Sequence, residues 1–357
     1  MIQTAPVTPA YHPFADACQA TGVTQDDRER WLAARRSGLG GSEVAAVLGI
    51  HPYKSALEVY ADKCGLLPPE GETSEVARWG TIFEGPILEE FARRTGREVV
   101  RSNELLRSRL RPWQTVTPDA VQYSGVPKGC SGPGLAECKT TGFGDWQEQI
   151  PPHVLVQVQH GLAVTGAEWQ TLVWLPFPER KLDWRDLLPH AEFQALLLER
   201  VDQFWRRVLD RRPPDADGSD SAKRALFALD PELVEECIEL EDADAIADEL
   251  EEISATIRRC EARKALIGNR ILQVLGDVKV GLLEDGRYWN SYRVDAREEK
   301  CPHCFGTVRE VNGYRASRLM KPRKTPHGIP IDRRRFDLRQ DVELSKLLEA
   351  SLEGASR

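Results

Sequence analysis

The order of helical and strand patterns in the first 180 residues constrains the fold of this 357-residue chain more than any other feature. A run of helical patterns, most of them ending at glycine, is followed by three short β-type segments, a further helix and an apolar strand. This order predicts an α/β core built on a mixed sheet. The helical patterns are DDRERWLAARRSG (26–38), SEVAAVLG (42–49), SALEVYADKCG (55–65), RWGTIFEGPILEEFARRTG (78–96) and PPHVLVQVQHGLAVTG (151–166).

Capping residues and prolines indicate where several of these helices begin and end. We expect Ser42 to cap the second helix. Pro86 is expected in a first turn, or at a break, of the helix that ends at Gly96. The pattern at 182–210 predicts a helix that Pro189 interrupts.

Composition divides the chain into four parts. The last part is predicted to hold one or two long charged helices between Pro231 and Leu275, a β-hairpin at 278–294 and a basic tail. The predicted parts are an N-terminal extension (1–24), the α/β domain (25–212), a linker (213–224) and an accessory region (225–357).

Composition also limits the cellular setting. No apolar run is long enough to span a bilayer. The N-terminal residues lack the basic and apolar stretches of a secretory signal. Eight cysteines without a small-scaffold pattern favour reduced thiols. We therefore expect no membrane partner and a cytoplasmic location, in a prokaryotic or phage-infected cell.

The net charge of −8 does not argue against nucleic acid. The segment 230–252 holds twelve acidic residues and no Lys or Arg, and without them the chain carries a net charge of +4. The acidity is local, so the global charge does not exclude a polyanionic partner.

Five polar residues form a candidate catalytic set. Glu137 and Lys139 are two apart on a predicted strand, so they point to the same face. Asp119 follows the preceding strand, Glu84 lies on an earlier helix and Gln157 on the next. Strand-borne carboxylates suit a hard divalent cation, and a lysine beside them suits hydrolysis of a phosphodiester.

These residues resemble the PD-(D/E)XK nuclease superfamily, with Pro118–Asp119 as "PD" and Glu137-Cys138-Lys139 as "(D/E)XK". Within it, the segment WLAARRSGLGGSEVAAVLGIHPYKSALEVYADKCG (31–65) is similar to the opening motif of YqaJ-type phage recombinases, relatives of lambda exonuclease. The short patterns alone are weak, but further motifs in the same order, up to about Leu175, strengthen the resemblance. It implies a mixed sheet flanked by helices at 25–212, with a helical and small β accessory region behind it.

The resemblance also implies roles for the candidate residues. Mg²⁺, for which Mn²⁺ substitutes, would be held by Asp119, Glu137 and the backbone carbonyl of Cys138. Lys139 would position and activate the water, and Glu84 would bind a second metal or its water.

Gln157 would support the lysine or the nucleophile, although Gln159 competes with it on the same helix. Glu89 and Glu90 compete with Glu84 in the same way. The remaining alternatives are that Glu137 and Lys139 are an exposed charge pair and that Asp119 is a turn residue.

Relatives bind a 5′-terminal phosphate in a basic pocket, and the matching positions here are Arg35, Ser42 and Thr117. A guanidinium clamps phosphate in a bidentate manner. Ser42 is predicted at a helix N-terminus, where anions are favoured.

The implied function is a Mg²⁺-dependent exonuclease of phage-type recombination that digests linear duplex DNA from the 5′ end and leaves a 3′ single strand. Implied partners are double-stranded DNA ends, a single-strand annealing protein and further subunits in a trimeric ring. The alternatives are a structure-specific or repair endonuclease and a catalytically inactive DNA-end-binding or assembly protein.

A second metal motif is incomplete. Cys301 and Cys304 form one C-x-x-C pair, which is half of a zinc site. His327 and Cys260 are additional ligand candidates without diagnostic spacing. A reduced surface loop is favoured over a structural zinc.

Overall fold

The computed structural model of the chain forms two compact units, 1–235 and 236–357, which are described separately. No helix in the described part of the chain is long and apolar enough to cross a membrane. The structure describes residues 13–67, 74–142, 146–177, 181–229, 237, 239–300, 307–311 and 314–320.

The described part of the first unit contains seven helices and eight strands. The helices are α1 (Arg28–Arg36), α2 (Gly41–Val47), α3 (Ala56–Lys63), α4 (Glu75–Thr95), α5 (Pro152–Thr165), α6 (Ala191–Leu209) and α7 (Asp220–Leu229). The strands are β1 (Cys18–Thr24), β2 (Val99–Arg101), β3 (Glu104–Ser108), β4 (Thr115–Val116), β5 (Ala120–Gln122), β6 (Gly134–Thr141), β7 (Gln170–Pro176) and β8 (Asp183–Leu187).

The central sheet of the first unit is mixed, with strand order β2-β5-β6-β7-β8. Strands β6 and β7 pair in parallel, because α5 carries the chain back between them, and the other pairs are antiparallel. A smaller antiparallel sheet has the order β1-β3-β4. The predicted α/β class with a mixed sheet is therefore confirmed.

Helices cover both faces of the central sheet. On one face, Leu88 and Phe91 of α4 pack with Cys138 of β6. On the other face, Val158 of α5 packs with Leu135. Since successive strand residues alternate between faces, Glu137 and Lys139 lie on the α5 face. A third cluster packs α2, α3, α6 and α7 together.

Three local predictions are wrong. Gly40, not Ser42, caps α2, and Ser42 is the second residue of that helix. Pro86 lies inside the continuous helix α4. Its position is exposed, so water can satisfy the carbonyl that loses its hydrogen bond. The residues 183–187, predicted as helix, form the edge strand β8, because pairing with β7 overrides their local pattern.

Two further elements lie in segments that were predicted to be irregular. Strand β1 lies within the predicted N-terminal extension and pairs with β3. Helix α7 begins inside the predicted linker, and its buried Ser221 accepts a hydrogen bond from the backbone N–H of Ser55. The predicted division into four parts stays a prediction.

The described part of the second unit contains one long helix, α8 (Asp244–Leu275), followed by small sheets. Strand β10 (Tyr288–Val294) pairs antiparallel with β9 (Val280–Leu282), which confirms the predicted hairpin. The other strands are β11 (Arg297–Lys300), β12 (Thr307–Val311) and β13 (Tyr314–Met320). The CPHC loop at 301–304, His327 and the basic tail beyond Met320 lie outside the described residues.

Candidate active site

The strand geometry explains why Glu137 and Lys139 lie side by side. Both belong to β6, and Cys138 between them points into the apolar core on the opposite face. Asp119 immediately precedes β5, the antiparallel neighbour of β6. The predicted strand placement of Glu137 and Lys139 is therefore found in the structure.

Short polar contacts organise this group. Oε1 of Glu137 accepts a hydrogen bond from Nε2 of Gln157 at 2.5 Å and lies 2.7 Å from Nζ of Lys139. Oδ2 of Asp119 accepts from the backbone N–H of Cys138 at 2.7 Å. Glu137 is only 4% exposed, so its charge is held among protein groups and not in bulk water.

The carboxylates repel one another through this buried environment. Burial, followed by the charge of Glu137, raises the pKa of Glu84 to about 7. Burial and the charges of Glu137 and Glu84 raise the pKa of Asp119 well above its usual range. Burial opposes the charge of Lys139, but Glu137 and Asp119 outweigh it and raise the pKa of that ammonium. Glu84, placed by α4, thus belongs electrostatically to the same group.

The chemistry of this donor set fits a divalent cation. Three carboxylates accompany the ammonium of Lys139 and the guanidinium of Arg101, which acts on Glu84, so negative charge is in excess when all of these groups are ionised. Oxygen ligands of this kind are what Mg²⁺ and related hard ions prefer. Within the described ranges, however, no three acidic, His or Cys side chains are close enough together to enclose an ion. The side chains of Glu84, Asp119 and Glu137 would have to move closer together to enclose a metal ion.

The structure also brings together the three predicted pocket residues. Nη2 of Arg35 donates to Oγ of Ser42 at 3.2 Å, and its guanidinium lies over the ring of Trp31, 4.7 Å from the centroid. Nε1 of Trp31 donates to Oγ1 of Thr117 at 3.3 Å. Helices α1 and α2 and the end of β4 therefore meet at one polar pocket, with Trp31 at its centre.

Two charged residues beneath the pocket were missed from the sequence. Glu43 is 3% exposed and lies 3.2 Å from Nη2 of Arg35 and 2.7 Å from Nζ of Lys63. Lys63 has no exposed side-chain surface and also donates to the carbonyl of Arg35. Burial alone would raise the pKa of Glu43, but Lys63 and Arg35 lower it to about 2. Glu43 directly follows Ser42 in the opening motif, so the sequence offered a signal for it. Lys63 lies on α3, a different helix, and no local pattern links it to Glu43.

The pocket and the carboxylates are joined through Gln157. Helix α2 approaches α5 so closely that a methyl group on Gly41 would lie 2.9 Å from Cγ of Gln157. The same glutamine holds Glu137 through its Nε2. A glycine at this position thus sets the spacing between the two polar groups.

An exposed apolar surface, also missed from the sequence, lies on α4, the helix that carries Glu84. Trp79 is 48% exposed and stacks on Phe83, which in turn contacts Phe177. Val76 and Ile82 extend the patch and are 82% and 47% exposed. Glu84 lies on the same helix.

The structure separates the competing residues. Gln159 donates to the carbonyl of Leu188 and accepts from the backbone N–H of His190, so it serves a loop and has no contact with Glu137 among the hydrogen bonds described here. Glu90 pairs with Arg93 and Arg94 on the surface of α4. Geometry therefore favours Gln157 and Glu84 as the members of the site.

The fold and the site together define a mixed α/β protein with an acidic group at a strand pair, as the resemblance to the PD-(D/E)XK superfamily predicts. Residues 30–168 match the family model of the YqaJ-like viral recombinase domain. The resemblance inferred from the sequence is thereby confirmed.

Individual proteins are also similar to this chain. The chain is homologous to the uncharacterized protein YqaJ of Bacillus subtilis (strain 168), with 30% identity over 205 residues, or 56% of this chain and 62% of that protein. It is also 38% identical over 74 residues to a protein of African swine fever virus (strain Badajoz 1971 Vero-adapted), covering 20% of this chain and 21% of that one. The chain thus spans less than two thirds of each relative.

Among solved structures, an alkaline exonuclease from Laribacter hongkongensis is similar, with 19% identity and a TM-score of 0.42. The match covers 56% of this chain and 99% of that chain.

Proposed function

We propose that the chain is a metal-dependent deoxyribonuclease of phage-type recombination that digests linear duplex DNA from the 5′ end and leaves a 3′ single strand. The observation that carries this proposal is the convergence of Asp119, Glu137, Lys139 and Gln157 beside a pocket built by Arg35. The match to a viral recombinase domain supports a role in DNA recombination. The alkaline exonuclease among the similar structures is named for the same kind of activity.

A divalent cation, Mg²⁺ or Mn²⁺, would supply Lewis-acid stabilisation of the phosphate and a reactive water. Asp119, Glu137 and the carbonyl of Cys138 would hold it, and Glu84 would bind a second ion or its water. Gln157 keeps the carboxylate of Glu137 oriented through its 2.5 Å hydrogen bond. This bond leaves the second oxygen of Glu137 for the metal.

Lys139 acts as a fixed positive charge. Its pKa is raised, so it is an ammonium ion and donates hydrogen bonds to water or to a phosphate oxygen. A preorganised donor aimed at charge that develops during the reaction contributes most to the chemical step.

The Arg35 pocket would bind the terminal 5′-phosphate and so define where digestion begins. Arg35 is 19% exposed in its side chain, and Trp31 and Ser42 fix its orientation. Thr117 would add a hydroxyl donor on the other side of Trp31. Recognition of a terminal phosphate favours an exonuclease over the second candidate, a structure-specific or repair endonuclease.

The aromatic patch of Trp79 and Phe83 would stack on bases close to the carboxylates, because exposed aromatic faces accept any unpaired base. The released 3′ strand would pass to a single-strand annealing protein, and a trimeric ring would keep the enzyme on its substrate. A cytoplasmic location agrees with these partners.

The test is digestion of a linear duplex whose two strands carry different labels, in Mg²⁺, with a covalently closed circle of the same sequence as the control. Loss of each strand from its 5′ end, with the circle intact, is the expected result. Loss from the 3′ end would overturn the polarity and the role of the Arg35 pocket. Cleavage of the circle would favour the endonuclease, and metal binding without any cleavage would favour an inactive DNA-end-binding protein.

A further inference from the structure

Helix α8 of the second unit carries an exposed apolar stripe. Ile246, Leu250, Ile253 and Ile257 are spaced by four, three and four positions, and they are 67%, 63%, 48% and 52% exposed. This is the spacing of the a and d positions of a heptad, in which each helix buries its stripe against another helix. An apolar stripe of this size on a surface helix marks an interaction site.

The charge of α8 changes sign along its length. Residues 244–255 contain five acidic side chains and no basic one, whereas residues 256–275 contain five basic side chains and one acidic one. A helix of 32 residues is about 48 Å long, so the two halves are distinct surfaces and not one neutralised face. A parallel pair of such helices would place like charges side by side, whereas an antiparallel pair would place opposite charges together.

We propose that α8 is a homodimerisation helix that pairs with α8 of a second copy of this chain in antiparallel orientation. The charge pattern identifies the occupant, because the surface complementary to α8 is α8 itself in the reverse direction. This interface is independent of the proposed nuclease activity, since it lies wholly within the second unit.

The stripe and the charge pattern together determine the register. With the two helices centred on Ala255, Ile253 of one copy faces Ile257 of the other, and Leu250 faces Cys260. Glu249, which flanks the stripe, then lies opposite Arg263 of the second copy. Shifting the pair by one heptad toward the N-terminus would bring the two acidic halves together, so charge favours the register centred on Ala255.

Oxidative cross-linking of the full chain tests orientation and register together. Cα atoms joined by a disulfide lie within about 7 Å of each other. In the antiparallel register a Leu250→Cys variant should form covalent dimers through Cys260 of the other copy, with peptides 250 and 260 joined in mass spectra. Within one helix these residues are about 15 Å apart, so the linkage must be intermolecular. Cross-links that join position 250 to position 250 and Cys260 to Cys260 would together indicate a parallel pair and overturn the orientation.

Charge substitutions test the interface in solution, by light scattering coupled to size exclusion. Glu249→Arg should raise the dissociation constant of the dimer at least tenfold, and the double variant Glu249→Arg with Arg263→Glu should restore it. Glu252→Arg is the matched control, because it makes the same charge change away from the stripe and should leave the mass unchanged.

The comparison of variants also separates this interface from any ring formed by the first unit. Leu250→Glu should halve the mass relative to wild type, whatever other assembly exists. Equal masses for wild type, Leu250→Glu and Glu249→Arg would overturn the proposal. In that case the stripe is covered by the chain's own residues outside the described part or by another protein.

Discussion

The acidic group around Glu137 and the basic pocket around Arg35 lie close together and have opposite electrostatic imbalances. In the first, carboxylates outnumber cations, and the pKa of Glu84 rises to about 7. In the second, cations dominate, and the pKa of Glu43 falls to about 2. A bound cation would therefore stabilise the acidic group, and a bound anion would stabilise the basic pocket. A metal-dependent phosphodiesterase must bind both kinds of charge.

The two groups also differ in how they are held. Glu43 and Lys63 are almost completely buried and paired, so the position of Arg35 depends on an internal ion pair. Glu137 is held by Gln157 and Lys139, which leaves Asp119 and Glu84 in mutual repulsion. Variants of the acidic group should therefore alter the rate of the chemical step. Variants of the basic pocket should alter recognition of the DNA end.

The largest effect is expected from Asp119→Ala and Glu137→Ala. Each removes a proposed metal ligand, so Mg²⁺-dependent cleavage should be lost, while stability should hold or rise because like-charge repulsion is relieved. Single-turnover digestion and thermal unfolding check this. Glu89→Ala, an exposed carboxylate of α4, is the matched control and should stay active. Near wild-type turnover in either site variant at saturating Mg²⁺ would place the metal elsewhere.

Lys139→Ala should lower the single-turnover rate by about a hundred- to a thousand-fold, the usual cost of removing one preorganised charge. DNA affinity measured in Ca²⁺ should stay close to wild type, because the interaction strengthens only as charge develops. A variant that lost affinity but kept its rate at saturating DNA would show that Lys139 binds DNA instead of assisting the reaction.

Arg35→Ala should reduce the preference for 5′-phosphorylated over 5′-hydroxyl ends by about ten- to a hundred-fold, the value of one charge-assisted hydrogen bond. Rates measured on both end types for each variant give this ratio. An equal slowing on both ends would contradict a role in terminal recognition.

Lys63→Met should reduce the same preference by a smaller factor, about three- to ten-fold, although Lys63 has no exposed side-chain surface. Without Lys63, the charge of Arg35 is neutralised by Glu43, and less of it acts on a phosphate. The double variant Glu43→Gln with Lys63→Met should recover part of the preference, because it removes both internal charges. If Lys63 served only to support the fold, the double variant would show no stronger preference for 5′-phosphorylated ends than Lys63→Met.

A further prediction concerns stability without metal. The pKa of Glu84 is about 7 in the folded protein against an ordinary value of 4.5, so the folded state binds more protons between these pH values. Stability from this source is complete below pH 4.5 and is lost as pH rises through 7. Denaturation in EDTA at pH 5 and pH 8 should show the loss, and Glu84→Gln should reduce it while Glu89→Gln should not. Equal pH dependence of stability in wild type, Glu84→Gln and Glu89→Gln would contradict this prediction.

The sequence predicted the separate parts of the site better than their connection. Asp119, Glu137 and Lys139 were predicted from short patterns, because a strand of period two places residues two apart on one face. The choice of Gln157 over Gln159 rested on resemblance, and the hydrogen bond to Glu137 now supports it. Helix ends at Gly96 and Gly166 were predictable, since each has the positive φ that glycine adopts at low cost.

Long-range packing decided what the sequence could not. Residues 183–187 became strand β8 because β7 offered an unpaired edge, and Pro86 stayed inside α4 because its turn faces solvent. The pairing of Glu43 with Lys63 joins two helices, so no local pattern could indicate it.

Local chemistry thus determined which residues are candidates for binding a metal and a phosphate, since side-chain type, strand period and capping act over a few neighbouring positions. Only the tertiary structure decided that both sets meet at Gln157, where the absence of a side chain on Gly41 lets α2 approach α5. Contacts between residues more than a hundred positions apart depend on packing of the whole unit, and that information is not carried by any short segment.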